Sequence, residues 1–155
     1  RAADLLASTI PSPQGTVLLH NDYKLDNTMV DARGSLVAVF DWDMATRGDP
    51  LVDLGTLVAY WADPAEPAYA VLAGHSVPLA PVMSKREVAH RYAVSTGFDV
   101  ERLPFYEGLA LFRVAVIIEQ IYARYAAGQT SDDRFAQFEP AAPILARAAV
   151  VALDS

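Results

Sequence analysis

The sequence predicts an α+β fold in which short strands in the first third carry polar loops and a mostly helical bundle follows. Three observations predict it. Runs of β-branched and apolar residues at 16–19, 28–30 and 36–40 all lie before residue 41. Helix-start signals begin at Asp49-Pro50 and recur toward the end of the chain. No strand-like run returns after residue 50, so the alternating β and α units of a parallel sheet are excluded.

Residues 1–8 form a predicted helix that stops at the breaker cluster Pro11-Ser12-Pro13-Gln14-Gly15. Residues 16–19 predict a short buried strand, and the polar stretch 20–27 a loop. Residues 28–30 and 36–40 predict two strands joined by Asp31-Ala32-Arg33-Gly34, with Gly34 suited to positive φ. Asp49 as N-cap and Pro50 as first helical residue open a helix through Leu51, Leu54, Leu57, Val58 and Trp61. A proline-rich connector at 64–81 interrupts. Ser84 with Glu87 is a capping box, and Gly97 closes the helix it starts. A long helix is expected from about 104 to 127 with Gly128 as its stop, and a last helix after Pro143.

The 155 residues fit one domain able to bury a core. Hydrophobic residues at 53% against 20% charged argue for folding rather than disorder. A net charge of −7 argues against nucleic acid or an anionic membrane surface as partner. There is no cysteine, which excludes disulfides and thiolate metal sites, and no apolar run reaches membrane-spanning length. A cytoplasmic protein is expected. The chain opens on Arg1-Ala2-Ala3-Asp4, within a helix already under way, which suggests a segment of a longer polypeptide.

The chemistry concentrates between residues 20 and 53. The loop 20–27 places Asp22, Lys24, Asp26 and Asn27 between two apolar strands, and Asp41 stands at the end of the next strand. Magnesium prefers hard oxygen ligands and keeps several waters. Asn27 and Asp41 could give one oxygen each, with ATP phosphates giving others. Phosphoryl transfer needs metal, alignment and a carboxylate to take the acceptor's proton. Asp22 would be that carboxylate, with Lys24 near the transferred group. Asp43 either binds a second magnesium, directly or through water, or faces solvent.

His20-Asn21-Asp22-Tyr23-Lys24-Leu25-Asp26-Asn27 followed by Asp41-Trp42-Asp43 matches the spacing of the protein-kinase catalytic loop and metal-binding aspartate. It resembles the aminoglycoside phosphotransferase/choline kinase superfamily. The same loop together with residues 39–55, including Asp49-Pro50-Leu51-Val52-Asp53-Leu54-Gly55, resembles more closely the kinase-like domain of acyl-CoA dehydrogenase family members 10 and 11. The resemblance implies a protein-kinase-like C-terminal lobe spanning 1–155. It also implies Asp22 as catalytic base and Asn27 and Asp41 as magnesium ligands. His20 would brace the loop, and Asp53 would tie the first helix after it to the loop. Two departures stand out. Asn21 replaces the family's usual glycine, a substitution asparagine tolerates better than most residues. The N-terminal lobe, with its phosphate-covering loop and phosphate-pairing lysine, has no counterpart before residue 16.

The long helix carries Arg113, Gln120 and Arg124 on one stripe of an otherwise apolar surface that predicts deep burial. They either pair with acids such as Asp53 or Glu119, or form an anion-binding wall for the acceptor. His75 and His90 share no ligand spacing with His20. The connector 64–81 and segment 128–142 are where acceptor specificity would reside.

The reading is an ATP- and magnesium-dependent phosphotransferase with a small hydroxylated acceptor, seen as a C-terminal lobe. It would be inactive alone and would partner the N-terminal lobe of the same protein. One alternative is a kinase-like binding module without transfer activity. Another, a magnesium phosphohydrolase built on Asp41-x-Asp43, needs the alternating β and α units that the helical run denies.

Overall fold

Apolar packing between helices and a few polar residues at element ends set this fold. The computed structural model describes residues 1–72 and 83–155. The element order is α1 (Ala2–Ser8), β1 (Val17–Leu19), β2 (Thr28–Val30), β3 (Leu36–Val39), β4 (Thr46–Gly48), α2 (Leu51–Tyr60), α3 (Tyr69–Leu72), α4 (Lys85–Thr96), α5 (Leu103–Ala126) and α6 (Ala141–Leu153). Single 3₁₀ turns cover Leu25–Asn27 and Trp42–Met44, and a longer one covers Asp133–Phe138.

The four strands form two separate antiparallel pairs. β2 and β3 make the hairpin expected around Asp31 and Gly34, with Thr28 opposite Val39 and an irregularity at Met29/Val30. β1 pairs with β4, Leu18 facing Arg47. Sequence patterning does not foresee β4, because Thr46-Arg47-Gly48 has no apolar alternation and becomes a strand only by pairing.

The strand 16–19 is not the buried one its apolar run predicts. It begins at Val17, only Leu19 is buried, and Leu18 is 66% exposed. Met29, Val30, Leu36, Val37 and Phe40 are exposed too. An apolar run is buried only where a second layer covers it, and the described residues place no such layer over this face.

The core sits in the helices. One cluster joins α1, α3, α5, α6 and the end of α2, with Leu145 fully buried. The other joins the start of α2, α4 and the start of α5 around Leu51, Leu54, Val58 and Tyr106. Burying one such side chain contributes about 1.5–3 kcal/mol. α5 belongs to both clusters. At Gly55 a Cβ would lie 2.5 Å from the Tyr106 backbone carbon, so α2 and α5 approach more closely than any side chain allows.

The helix punctuation is largely as expected. Ser84 accepts from the Glu87 N–H, the Glu87 side chain reaches back, and Gly97 closes α4 at φ 78°. Asp49 accepts from the Leu51 N–H at 2.8 Å, although α2 itself begins at Leu51. The connector holds a short helix, α3; its residues 73–81, and His75, lie outside the described residues. α6 starts two residues before Pro143, which its first turn accommodates because proline's missing N–H would have no partner within the helix at that position. α5 is less buried than its composition predicts: Val116 and Ile117 are exposed. No helix among the described residues is long and apolar enough to cross a membrane.

Candidate functional site

The loop after β1 is held by backbone donors meeting side-chain acceptors. His20, 2% exposed, lies against the Phe40 carbonyl through Nε2 at 2.6 Å and accepts the Asp22 N–H on Nδ1 at 3.2 Å. The second bond makes Nδ1 the acceptor, so Nε2 carries the proton and donates to Phe40. The imidazole thus spans the gap between the loop and the end of β3. Trp42 packs on it with ring centroids 4.7 Å apart.

Asp53, in the first turn of α2, accepts the N–H groups of both His20 and Asn21 at 2.7 Å. Asn21 stands at φ 66°, the left-handed backbone that glycine or asparagine adopts most readily. Its side-chain amide donates to the Met44 carbonyl, and its own carbonyl accepts from Arg113 on α5 at 3.1 Å. Two helices and the turn after β3 therefore fix one residue.

Asp22 projects from this frame. Lys24 meets both of its carboxylate oxygens, at 3.1 and 2.9 Å. The Asn27 side-chain amide donates to the Asp22 carbonyl at 2.8 Å and to its carboxylate at 3.0 Å. With its NH₂ group so engaged, the Asn27 side-chain oxygen is left to accept or to coordinate. The Asn27 backbone carbonyl takes the Phe40 N–H at 2.8 Å, which seats Asn27 one residue from Asp41. Burial lowers the Lys24 pKa, but the Asp22 hydrogen bond and the surrounding charges, Asp22 and Asp26 among them, raise it by more. Lys24 is thus a firmly protonated cation.

Asp41 and Asp43 are exposed. Asp41 adopts φ 62°, uncommon outside glycine, asparagine and aspartate, at the N-terminus of the 3₁₀ turn. Its carboxylate has no hydrogen-bond partner among the described residues. An amide oxygen and a carboxylate are both hard-oxygen donors, but among the described residues no group of three or more His, Cys, Asp or Glu side chains is gathered to hold a metal ion.

The structure gathers Asp22, Lys24, Asn27, His20, Asp53 and Arg113 around one loop. It leaves Gln120 and Arg124 exposed further along α5. Arg113 pairs with neither Asp53 nor Glu119; Asp53 is committed to the loop backbone. A shallow pocket beside Asp22 is walled by Met44, Thr56, Tyr60, Arg113, Val114 and Ile117. Sequence reasoning passes over Tyr60, whose ring centroid lies 5.1 Å from the Lys24 ammonium. An aromatic at a helix end carries the same signal as a core residue.

A carboxylate held by an asparagine amide and a lysine, followed by an aspartate just past a strand end, has the residue order of a kinase-like phosphotransferase loop. The chain belongs to the phosphotransferase enzyme family, whose model matches residues 1–85. It is similar to mouse acyl-CoA dehydrogenase family member 10, at 30% identity over 125 residues, and to rat family member 11, at 30% over 120 residues. Those alignments cover 79% and 75% of this chain but span only 12% and 15% of the relatives' own length. A solved candidate aminoglycoside phosphotransferase from Ralstonia eutropha superposes with a TM-score of 0.76 at 26% identity. That likeness covers 97% of this chain and 47% of the Ralstonia one.

Proposed function

We propose that this chain is the acceptor-side lobe of a phosphotransferase that moves the γ-phosphoryl group of ATP to the hydroxyl of a small acceptor, with magnesium. The observation that carries the reading is the bond set joining Asp22 to Asn27 and Asn27 to Phe40. It locks a candidate base and two candidate metal-binding residues into one unit.

In this reading Asp22 aligns the acceptor hydroxyl and takes its proton as the acceptor oxygen bonds to the γ-phosphorus and the bond to ADP breaks. Lys24 turns from Asp22 toward the transferred group. Asn27 and Asp41 would hold magnesium, which when bound supplies positive charge to the phosphates; exposed Asp43 would either serve a second ion, directly or through water, or face solvent. His20 and Asp53 keep the loop in register. Arg113, which also donates to the Asn21 carbonyl, would be the member of its stripe to meet an anionic part of the acceptor. The bare apolar strand face supports a covering partner, the N-terminal lobe of a longer polypeptide. So does the 47% span of the Ralstonia chain.

The test is phosphate transfer from magnesium-ATP by the full-length protein across a panel of hydroxylated acceptors, with Asp22→Asn beside it. The substitution should lower kcat by about 10²–10⁴-fold. Transfer that persists in Asp22→Asn removes Asp22 as base.

A further inference from the structure

Helix α2 presents two groups to the loop, not one. Asp53 and Tyr60 are seven residues apart, two turns, and so share a face. Asp53 takes the backbone N–H groups at the loop's start. Tyr60, the last residue of the helix, lies with its ring under the Lys24 ammonium, 5.1 Å from the centroid. That is within the range at which a ring face attracts a cation. Burial raises the Tyr60 pKa, so a neutral ring meets the charge.

Lys24 has four rotatable side-chain bonds, and an exposed lysine–carboxylate pair two residues apart holds its geometry weakly. This pair is bidentate, and both side chains are mostly covered. The Tyr60 ring is an apolar contact of the Lys24 ammonium.

We propose that Tyr60 is a positioning residue whose ring holds the Lys24 ammonium on the Asp22 carboxylate, so that cation and base stand aligned before substrate arrives. Its consequence for transfer rests on the phosphotransferase reading above; the contact itself does not.

The composition offers a direct test. The chain has two lysines, Lys24 and Lys85. Lys85 is held by Glu66 at 2.7 Å and Glu107 at 2.6 Å and is covered to a similar degree, which makes it an internal reference. Trace acetylation with acetic anhydride, read by peptide mass spectrometry, gives the reactivity of Lys24 relative to Lys85. In Tyr60→Leu the ratio should rise about fivefold, the scale of a partly desolvated cation–π contact. In Tyr60→Phe, which keeps the ring, it should stay within about twofold of wild type on the same scale. An unchanged ratio in Tyr60→Leu overturns the proposal. So does a parallel rise at both lysines, which would mean general loosening, or a Tyr60→Phe result equal to Tyr60→Leu. In the full-length protein Tyr60→Leu should lower kcat, with Tyr60→Phe recovering the rate. A wild type without transfer activity would defeat the phosphotransferase reading, and the labelling ratio would still judge Tyr60.

Discussion

The carboxylate of Asp53 fixes the start of the loop by accepting two backbone N–H groups. A charged acceptor shared by two backbone donors is stronger than two neutral hydrogen bonds, and both donors lose their partner together when it is removed. Asp53→Ala should therefore cost about 3 kcal/mol, seen as a lower urea midpoint with an unchanged slope. An unaltered midpoint would mean that the loop holds itself. His20 acts beside it as a spacer, with both ring nitrogens committed. At this scale the sequence was informative where chemistry is local. His20, Asp22, Asn27 and Asp41 stand out by residue type and spacing, and Asn21 by its tolerance of left-handed backbone. Tyr60 and the carbonyls of Phe40 and Met44 were not legible, because their part depends on which distant segment faces them.

Among the elements, α2 and α5 are joined by a contact that admits no side chain. Gly55 meets the Tyr106 backbone, and a backbone cannot swing aside as a side-chain tip can. Gly55→Ala should destabilise by about 1–3 kcal/mol despite its better helix propensity, measured by thermal or urea unfolding. A stabilised variant would show that the helices separate without cost. Element starts and stops were legible where both partners lie within one turn, as at Ser84–Glu87 and Gly97. β4 was not, since its only strand signal is its partner β1. The burial of β1 was misread for a related reason: Val17 and Leu18 are apolar enough for an interior, but coverage is a property of what packs against them.

For the whole molecule, several groups titrate in the same direction. Burial first, then the charge and hydrogen bond of Asp49, push the Tyr106 pKa up to about 12. Lys24 and Lys85 are also raised, burial opposing and their acidic partners prevailing. In each case the folded chain holds its proton more tightly than the unfolded one. The stability these groups contribute is therefore complete below about pH 10 and is lost as pH rises toward 12. Tyr106 alone should account for about 2 kcal/mol of that loss. Urea midpoints from pH 9 to 12 would show the decline, shallower in Tyr106→Phe; a flat profile would contradict it.

The pinning of the loop has a mechanical consequence. α2 grips it through Asp53, α5 through Arg113, and the segment after β3 through the Phe40 and Met44 carbonyls. A part anchored from three directions is the fixed jaw of a vise. Any closure around a bound molecule would have to come from atoms outside the loop's backbone, with side chains such as Lys24 left to swing at Asp22.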